Sequence, residues 1–276
     1  MALTGDLHCH STCSDGSCSP AQIVDYACRS GLTHVALTDH DTLSGLPALA
    51  SAARGLIRAI PGVECSCIDP KRKQPVHLLC YCPKEPERLQ QALDATLQNR
   101  RAAKLDMLAK LKQLYPLRDS DVLDLCRGCG SVYEVHLMRA LANMGYTNTV
   151  CGDLMKQLIG KGGSCYTPVV YPDVWEIAAL IRDTGGIAVL AHPGQFQSLP
   201  LARELCREKL LDGIECFHPR NTPETTRAAL ELASDYGLLV TGGTDFHGMH
   251  ARHPHPIGTC VTTEPYLQRL LAMCGI

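Results

Sequence analysis

Aromatic residues are scarce in this sequence: Phe, Tyr and Trp make up 5% of its 276 residues, with a single Trp. A chain so short of flat side chains lacks the series of platforms on which single-stranded nucleic acid stacks. A surplus of positive charge is missing too, since Lys and Arg number 26 against 28 Asp and Glu, a net charge of −2. That balance excludes a general affinity for DNA or an anionic membrane, and leaves room only for a local basic pocket. No apolar run approaches the roughly 18 residues that span a bilayer. The stretch from Met1 to Asp6 has neither a basic start nor an apolar h-region, so no secretory signal is read there. The expectation is a cytoplasmic protein with no membrane association and no stable nucleic-acid partner.

Cysteine, by contrast, is abundant, at 16 residues. In a reducing compartment most of these thiols are expected to serve as small buried apolar groups rather than as a disulfide framework. Cys126-x2-Cys129 has zinc-knuckle spacing, and Cys65-x-Cys67 could face Cys80-x-Cys82. However, Cys65 and Cys67 alternate with Glu64, and Cys80 and Cys82 alternate with Tyr81. Strand periodicity therefore turns all of them outward, into a helix layer.

Short runs rich in Val, Ile, Leu and Ala predict buried strands at Leu3–His8, His34–Thr38, Arg58–Glu64, Val76–Tyr81, Ile187–Ala191, Gly213–Phe217 and Leu238–Gly242. Helical patterns fall between many of them, as at Pro20–Ser30, where Ser19 is a ready N-cap and Gly31 a stop, and at Val174–Thr184. Alternating helices and continuously apolar strands predict a parallel α/β fold, a distorted seven-stranded β/α barrel. From about Glu85 to Gly163 the pattern is helical, with apolar residues at helical spacing over Arg88–Leu114. The expected division is a barrel from 1–84 and 164–276, with 85–163 as a helical insertion capping it.

Titratable residues gather where the predicted strands end. The first strand runs into His8-Cys9-His10, and residues i and i+2 of an extended chain face the same way, so both imidazoles can reach one metal. Asp15 follows in a Ser-Asp-Gly turn. The second strand ends in Asp39-His40-Asp41 and the third in Glu64, while His77 opens the fourth. His192, and then Asp245 with His247, follow two later strands. The carboxyl ends of parallel strands are where α/β barrels build their sites. His218 follows the sixth predicted strand and is expected to face the pocket. His250, His253 and His255, interleaved with Pro254 and Pro256, suggest an exposed loop nearby, and His34 a structural strand start.

His8-Cys9-His10-Ser11 with Ser14-Asp15-Gly16, Thr38-Asp39-His40-Asp41, Pro61-Gly62-Val63-Glu64, Ala191-His192-Pro193-Gly194 and Thr244-Asp245-Phe246-His247-Gly248 resemble the motifs of the PHP (polymerase and histidinol phosphatase) superfamily. The resemblance implies a metal-dependent phosphoesterase with two to three divalent ions. It assigns His8, His10, Glu64 and Asp245 to a first ion. Glu64, His77 and His192 would hold a second, and Asp15, His40 and His247 a third. Nitrogen and oxygen ligands without cysteine suit Mn, Fe or Zn. Glu64, Asp245 and His192 form the implied catalytic core, with hydroxide generated from water whose pKa falls to about 7 at a favourable site. Asp39 and Asp41 are expected either to orient metal-bound imidazoles or to cap their strand end.

The smaller bacterial members with a helical insertion offer the nearest resemblance. Some of them remove the 3′-phosphate from nucleoside 3′,5′-bisphosphates, and others trim RNA from its 5′ end. Val135-His136-Leu137-Met138-Arg139 and Gly160-Lys161-Gly162-Gly163 resemble their insertion motifs. This makes His136, Arg139 and Lys161 substrate-binding candidates, and His218 joins them from its place after the sixth predicted strand. Where those relatives carry Gly-Arg, this chain reads Tyr133-Glu134, so an arginine expected near the second phosphate is missing. The expected substrate is a small phosphorylated molecule, first a nucleoside 3′,5′-bisphosphate. Short RNA, histidinol phosphate and a non-catalytic metal-binding role are the alternatives.

Overall fold

The structure, a computed structural model, describes residues 2–276; Met1, where the N-terminal reading began, lies outside them. The strands are β1 (Thr4–Asp6), β2 (His34–Leu37), β3 (Arg58–Asp69), β4 (Gln74–Tyr81), β5 (Ile187–Leu190), β6 (Gly213–Phe217), β7 (Leu239–Gly242) and β8 (Thr262–Thr263). They form one eight-stranded sheet in the order β7-β6-β5-β4-β3-β2-β1-β8. The Leu7 N–H donates to Gly242 O at 3.3 Å, so β1 meets β7 and the sheet curls into a nearly closed barrel.

Two expectations need correction. The strand count is eight rather than seven, because the short β8 pairs antiparallel with β1. The sheet is also mixed: β4 runs antiparallel to both β3 and β5. The reason is the connection between β3 and β4, residues 70–73, which is far too short for the crossover a parallel strand needs. The reversal matters for the site. Because β4 runs backwards, its first half lies at the carboxyl end of its neighbours, and His77 pairs in register with Ser66 of β3.

The helices are α1 (Pro20–Arg29), α2 (Leu46–Ala53), α3 (Pro86–Leu111), α4 (Asp119–Leu123), α5 (Glu134–Asn143), α6 (Asp153–Leu158), α7 (Val174–Asp183), α8 (Leu199–Arg207), α9 (Pro223–Tyr236) and α10 (Tyr266–Cys274). Ser19 caps α1 in a reciprocal box with Gln22, Pro20 stands in its first turn, and Gly31 follows at φ 73°. Helices α3 to α6 follow β4 and gather an apolar cluster of their own around Met107, Leu111, Val122, Leu137 and Leu141. Among the described residues, no helix is long and apolar enough to cross a membrane.

Strand alternation separates two environments. Val63, Cys65 and Cys67 of β3 and Val76, Leu78 and Cys80 of β4 face outward, against Val174 and Ile177 of α7 and Leu201 of α8. Ile60, Leu79, Tyr81, Val189 and Leu239 face inward, where Leu267 and Leu270 of α10 close the lower end of the barrel. Each such buried leucine contributes roughly 1.5–3 kcal/mol. The upper part of the same inner face carries Glu64 and His77, so the apolar plug forms the foundation of a titratable layer.

The outward turn expected for Cys65, Cys67 and Cys80 agrees with this packing, and burial pushes their thiols up. Cys82 departs from it. It lies just past β4 at φ 50°, which breaks the alternation, and it forms a disulfide with Cys274 at the end of α10. Cys126 and Cys129 do not join in a knuckle; their thiols bond Val122 O and Ser14 O respectively.

Candidate metal centre

Glu64 stands at the centre of the titratable layer. Its Oε2 lies 3.2 Å from His8 Nε2, 3.1 Å from His10 Nε2 and 3.2 Å from His40 Nδ1. Its Oε1 lies 2.8 Å from both His77 Nδ1 and His192 Nε2. Asp245 Oδ1 approaches His10 Nε2 at 3.2 Å, and Asp15 Oδ1 approaches His247 Nε2 at 3.3 Å. Each of these side chains leaves a strand end or the loop beyond it. His192 (φ 27°) and Asp245 (φ 53°) hold left-handed backbone conformations that non-glycine residues rarely adopt, a cost tolerated where geometry must be fixed. Gly243 allows the β7 end to approach this closely, since a Cβ there would collide with His8 Cβ.

Of three carboxyls in this layer, Glu64 is buried and Asp15 and Asp245 are largely so, and burial by itself pushes each of them up. Neighbouring imidazoles outweigh it and hold the groups well below the usual carboxylate range. His77 and His8 act on Glu64, His247 and His8 on Asp245, and His247 and His40 on Asp15. The layer therefore presents anionic oxygens beside imidazole nitrogens.

Several of its atoms are buried without a hydrogen-bond partner: His8 Nε2, both nitrogens of His10, His40 Nδ1 and Glu64 Oε2. Leaving such atoms unsatisfied is costly, about 1–3 kcal/mol each. Metal coordination would satisfy most of them together, one nitrogen of His10 included, and the donor set fits divalent ions. Ligand atoms within 4.8 Å of one another form the groups His8/His10/Glu64/Asp245, His10/Asp15/His40/His247, His40/Glu64/His77 and His8/Glu215/His218. None of these includes a cysteine among the described residues.

Glu215 was not foreseen. It sits in the middle of β6, wholly buried, between Ile214 and Cys216. Its Oε1 accepts from His8 Nδ1 at 3.0 Å, and its Oε2 accepts from the His192 backbone N–H at 2.7 Å. With its Nδ1 proton held by Glu215, His8 has Nε2 left to ligate an ion beside Glu64. The signal available in the sequence was a lone glutamate inside the apolar run Gly-Ile-Glu-Cys-Phe. Glu215→Gln is expected to weaken metal binding by about 10–100-fold, measured by competition with a fluorescent chelator. Unchanged affinity would show that another group orients His8.

Of the two roles open to Asp39 and Asp41, the hydrogen bonds fit capping at the strand end rather than orientation of imidazoles. Asp39 accepts from the Ser11 N–H at 2.7 Å and the Ser11 hydroxyl at 2.6 Å, tying down the loop that carries Asp15. Asp41 accepts from the Ser66 N–H at 2.7 Å and from Arg100 at 2.6 Å. Both are short carboxylates at a strand end, where free backbone N–H groups are nearer than any ring. Arg100, also unforeseen, is buried between Tyr133 (4.8 Å to the ring centre) and Tyr171 (5.4 Å) and fastens α3 to the barrel.

A cleft of about 680 Å³ opens over the layer. Asp15, His40, Glu64, His77, His192, Asp245 and His247 line its floor, and Glu134, Lys156, Arg220, Arg252, His253 and His255 lie higher. The four residues expected to bind substrate are placed elsewhere. His136 is buried and accepts from the Tyr133 N–H at 3.1 Å, capping α5, and burial lowers its pKa to about 4. Arg139 turns along α5 to Asn143 (3.3 Å), and Lys161 lies exposed beyond α6. His218 sits behind the floor, its Nε2 3.7 Å from Asp245 Oδ2. Helical periodicity places the first two, since α5 turns His136 inward and sets Arg139 over Asn143, while Lys161 falls in the turn after α6. His250 donates from Nδ1 to Asp15 O at 2.7 Å, bringing its loop to the cleft, and His34 begins β2 beside Thr33 Oγ1 (2.8 Å).

A barrel whose upper face gathers carboxylates and imidazoles under an open cleft is the framework of a metal-dependent hydrolase. The PHP domain matches residues 6–113. The chain is 37% identical to the phosphoribosyl 1,2-cyclic phosphate 1,2-diphosphodiesterase of Eggerthella lenta, over 91% of this chain and 96% of that protein. It is 29% identical to the 3′,5′-nucleoside bisphosphate phosphatase of Chromobacterium violaceum, over 88% of this chain and 86% of that one. Its fold superposes with a TM-score of 0.90 on a solved Bifidobacterium adolescentis protein assigned to the metal-dependent phosphoesterases, at 28% identity and covering 98% of this chain and 96% of that one. This chain belongs to the PHP family and is a metal-dependent phosphoesterase.

Proposed function

We propose that this enzyme hydrolyses a phosphoester of a small phosphorylated ribose, a cyclic phosphodiester in preference to a nucleoside 3′,5′-bisphosphate. The observation that carries the reading is the seating of Asp15, His40, Glu64, His77, His192, Asp245 and His247 on the floor of a cleft sized for a small molecule. His8, His10, Glu64 and Asp245 would hold one ion, Glu64, His77 and His192 a second, and Asp15, His40 and His247 a third. Bound there, divalent ions supply Lewis acidity to a phosphoryl oxygen and lower the pKa of water. The chain's own part is to hold these side chains fixed. Glu64 and Asp245 contribute the negative charge that retains cations, and His192 is anchored through its backbone by Glu215.

Residues 1–84 and 164–276 form the catalytic barrel in this reading, and 85–163 a helical cap. Supporting it, Glu134, Val135, Gly152, Met155 and Lys156 reach the cleft from that segment. Lys156, Arg220 and Arg252 suit a second anionic group on the substrate. The preference for a cyclic diester rests on two observations. The relative whose name carries that substrate is 37% identical, against 29% for the bisphosphatase. The candidates for a bisphosphate's second phosphate, His136, Arg139 and Lys161, are also not among the residues that line the cleft.

The test is product analysis by mass spectrometry with the Mn-loaded enzyme. It compares ribose 5-phosphate 1,2-cyclic phosphate, adenosine 3′,5′-bisphosphate and a short 5′-phosphorylated RNA. The cyclic diester is expected to give a kcat/KM at least about tenfold above the others, a difference of about 1.4 kcal/mol in transition-state binding. Preference for the bisphosphate or for RNA would overturn the cyclic-diester assignment and move the enzyme to that substrate.

A further inference from the structure

Glu134, the first residue of α5, is the one carboxylate among the described cleft-lining residues that stands outside the metal-capable groups. Beneath it lies Lys104 of α3, whose ammonium donates to Glu134 Oε1 at 2.5 Å. The pair is asymmetric: the Lys104 side chain is 1% exposed and that of Glu134 is 31% exposed. A buried ammonium cannot spare its partner, so Lys104 fixes the carboxylate in position. Burial pushes the Glu134 carboxyl up, but Lys104, with Arg100 beyond it, holds it below the usual carboxylate range. The start of α5 is itself fixed, since the Tyr133 hydroxyl donates to His40 O at 2.9 Å.

An ionised carboxylate accepts hydrogen bonds and donates none. With Oε1 engaged from below, the rest of the group is offered to the cleft, while cations stand elsewhere along the rim at Lys156, Arg220 and Arg252. The cleft is thus divided by charge above its floor. A phosphate suits the cationic part and is repelled at Glu134, whereas a sugar hydroxyl finds a strong acceptor there.

We propose that Glu134 is a specificity-determining residue that accepts a hydrogen bond from a free hydroxyl of the substrate's sugar and repels a phosphate at that position. This rests on the phosphorylated-ribose reading above. It is tested by calorimetric binding to the metal-loaded, full-length protein. The ligands are ribose 5-phosphate, its 2-deoxy and 3-deoxy analogues, adenosine 3′,5′-bisphosphate and inorganic phosphate. Loss of a hydrogen bond to a charged group is worth roughly 10–100-fold in affinity. The wild type is therefore expected to bind ribose 5-phosphate at least about tenfold more tightly than one of the deoxy analogues.

Two variants separate the roles of the charge and the acceptor. Glu134→Gln keeps an acceptor for Lys104 and removes the charge, and should tighten adenosine 3′,5′-bisphosphate by about tenfold, the scale of one close charge repulsion. The double variant Glu134→Leu/Lys104→Met removes the whole pair without stranding the ammonium, and should shrink the hydroxyl preference to within about twofold. A preference retained in the double variant overturns the inference and leaves the substrate reading intact. Wild-type protein that binds inorganic phosphate but no ribose phosphate overturns the substrate reading, and this inference with it.

Discussion

Replacing Glu64 by Gln is expected to leave a folded protein whose hydrolysis is reduced by about 10³-fold. The substitution preserves volume and shape in a fully buried position, so packing around Ile60 and Leu79 is undisturbed. It removes the charge shared by five imidazoles: His8, His10 and His40 at one oxygen, His77 and His192 at the other. A carboxamide offers a single weak oxygen ligand where the carboxylate offers two. Metal-derived stabilisation of a developing phosphoryl charge is worth several kcal/mol, and about 4 kcal/mol corresponds to the 10³-fold loss. Two readouts accompany the rate. Metal stoichiometry by elemental analysis should fall, while circular dichroism stays native. A variant with full metal content and full activity would remove Glu64 from the centre of the mechanism.

Arg100→Met is expected to produce the largest loss of stability. Arg100 lies on α3, yet its guanidinium bonds Asp41 at 2.6 Å and Ser66 Oγ at 2.8 Å, beyond the ends of β2 and within β3. Removing it leaves the Asp41 carboxylate buried without its cation, a cost of about 3–5 kcal/mol. Stacking against Tyr133 and Tyr171 is lost as well. In a chain of this size the sum should lower Tm by on the order of 10 °C. Adding Asp41→Asn should recover part of the loss, because the orphaned charge is then gone. A single variant that melts within about 2 °C of the wild type would show that the helices are held to the barrel by other contacts.

The sequence carried a large part of this site. His8 and His10 could be paired from their two-residue spacing. Asp245 and His247 shared a strand-end motif, and the alternation of Cys65 and Cys67 with Glu64 predicted which side chains face inward. These are local properties, fixed by the period of an extended chain, and they need no knowledge of what lies across the barrel. The helical run following Tyr81 was equally legible, because its apolar spacing is written in consecutive residues.

What the tertiary structure alone decided involves partners far apart in sequence. The reversal of β4 came from a connection too short for a crossover, and it placed His77 beside Glu64. Glu215 became the orienting partner of His8 across 207 positions, and Arg100 the counter-charge of Asp41 across 59. Cys82 met Cys274 across 192. Asp39 and Asp41 turned to backbone and arginine instead of to imidazoles, while the turn of α5 kept His136 and Arg139 from the cleft and the loop after α6 did the same for Lys161. A sequence fixes the face a residue presents along its own element, since that follows from covalent geometry. Which group it meets there is settled only by the docking of elements, where burial makes each charge and hydrogen-bond donor find the partner that the fold brings within reach.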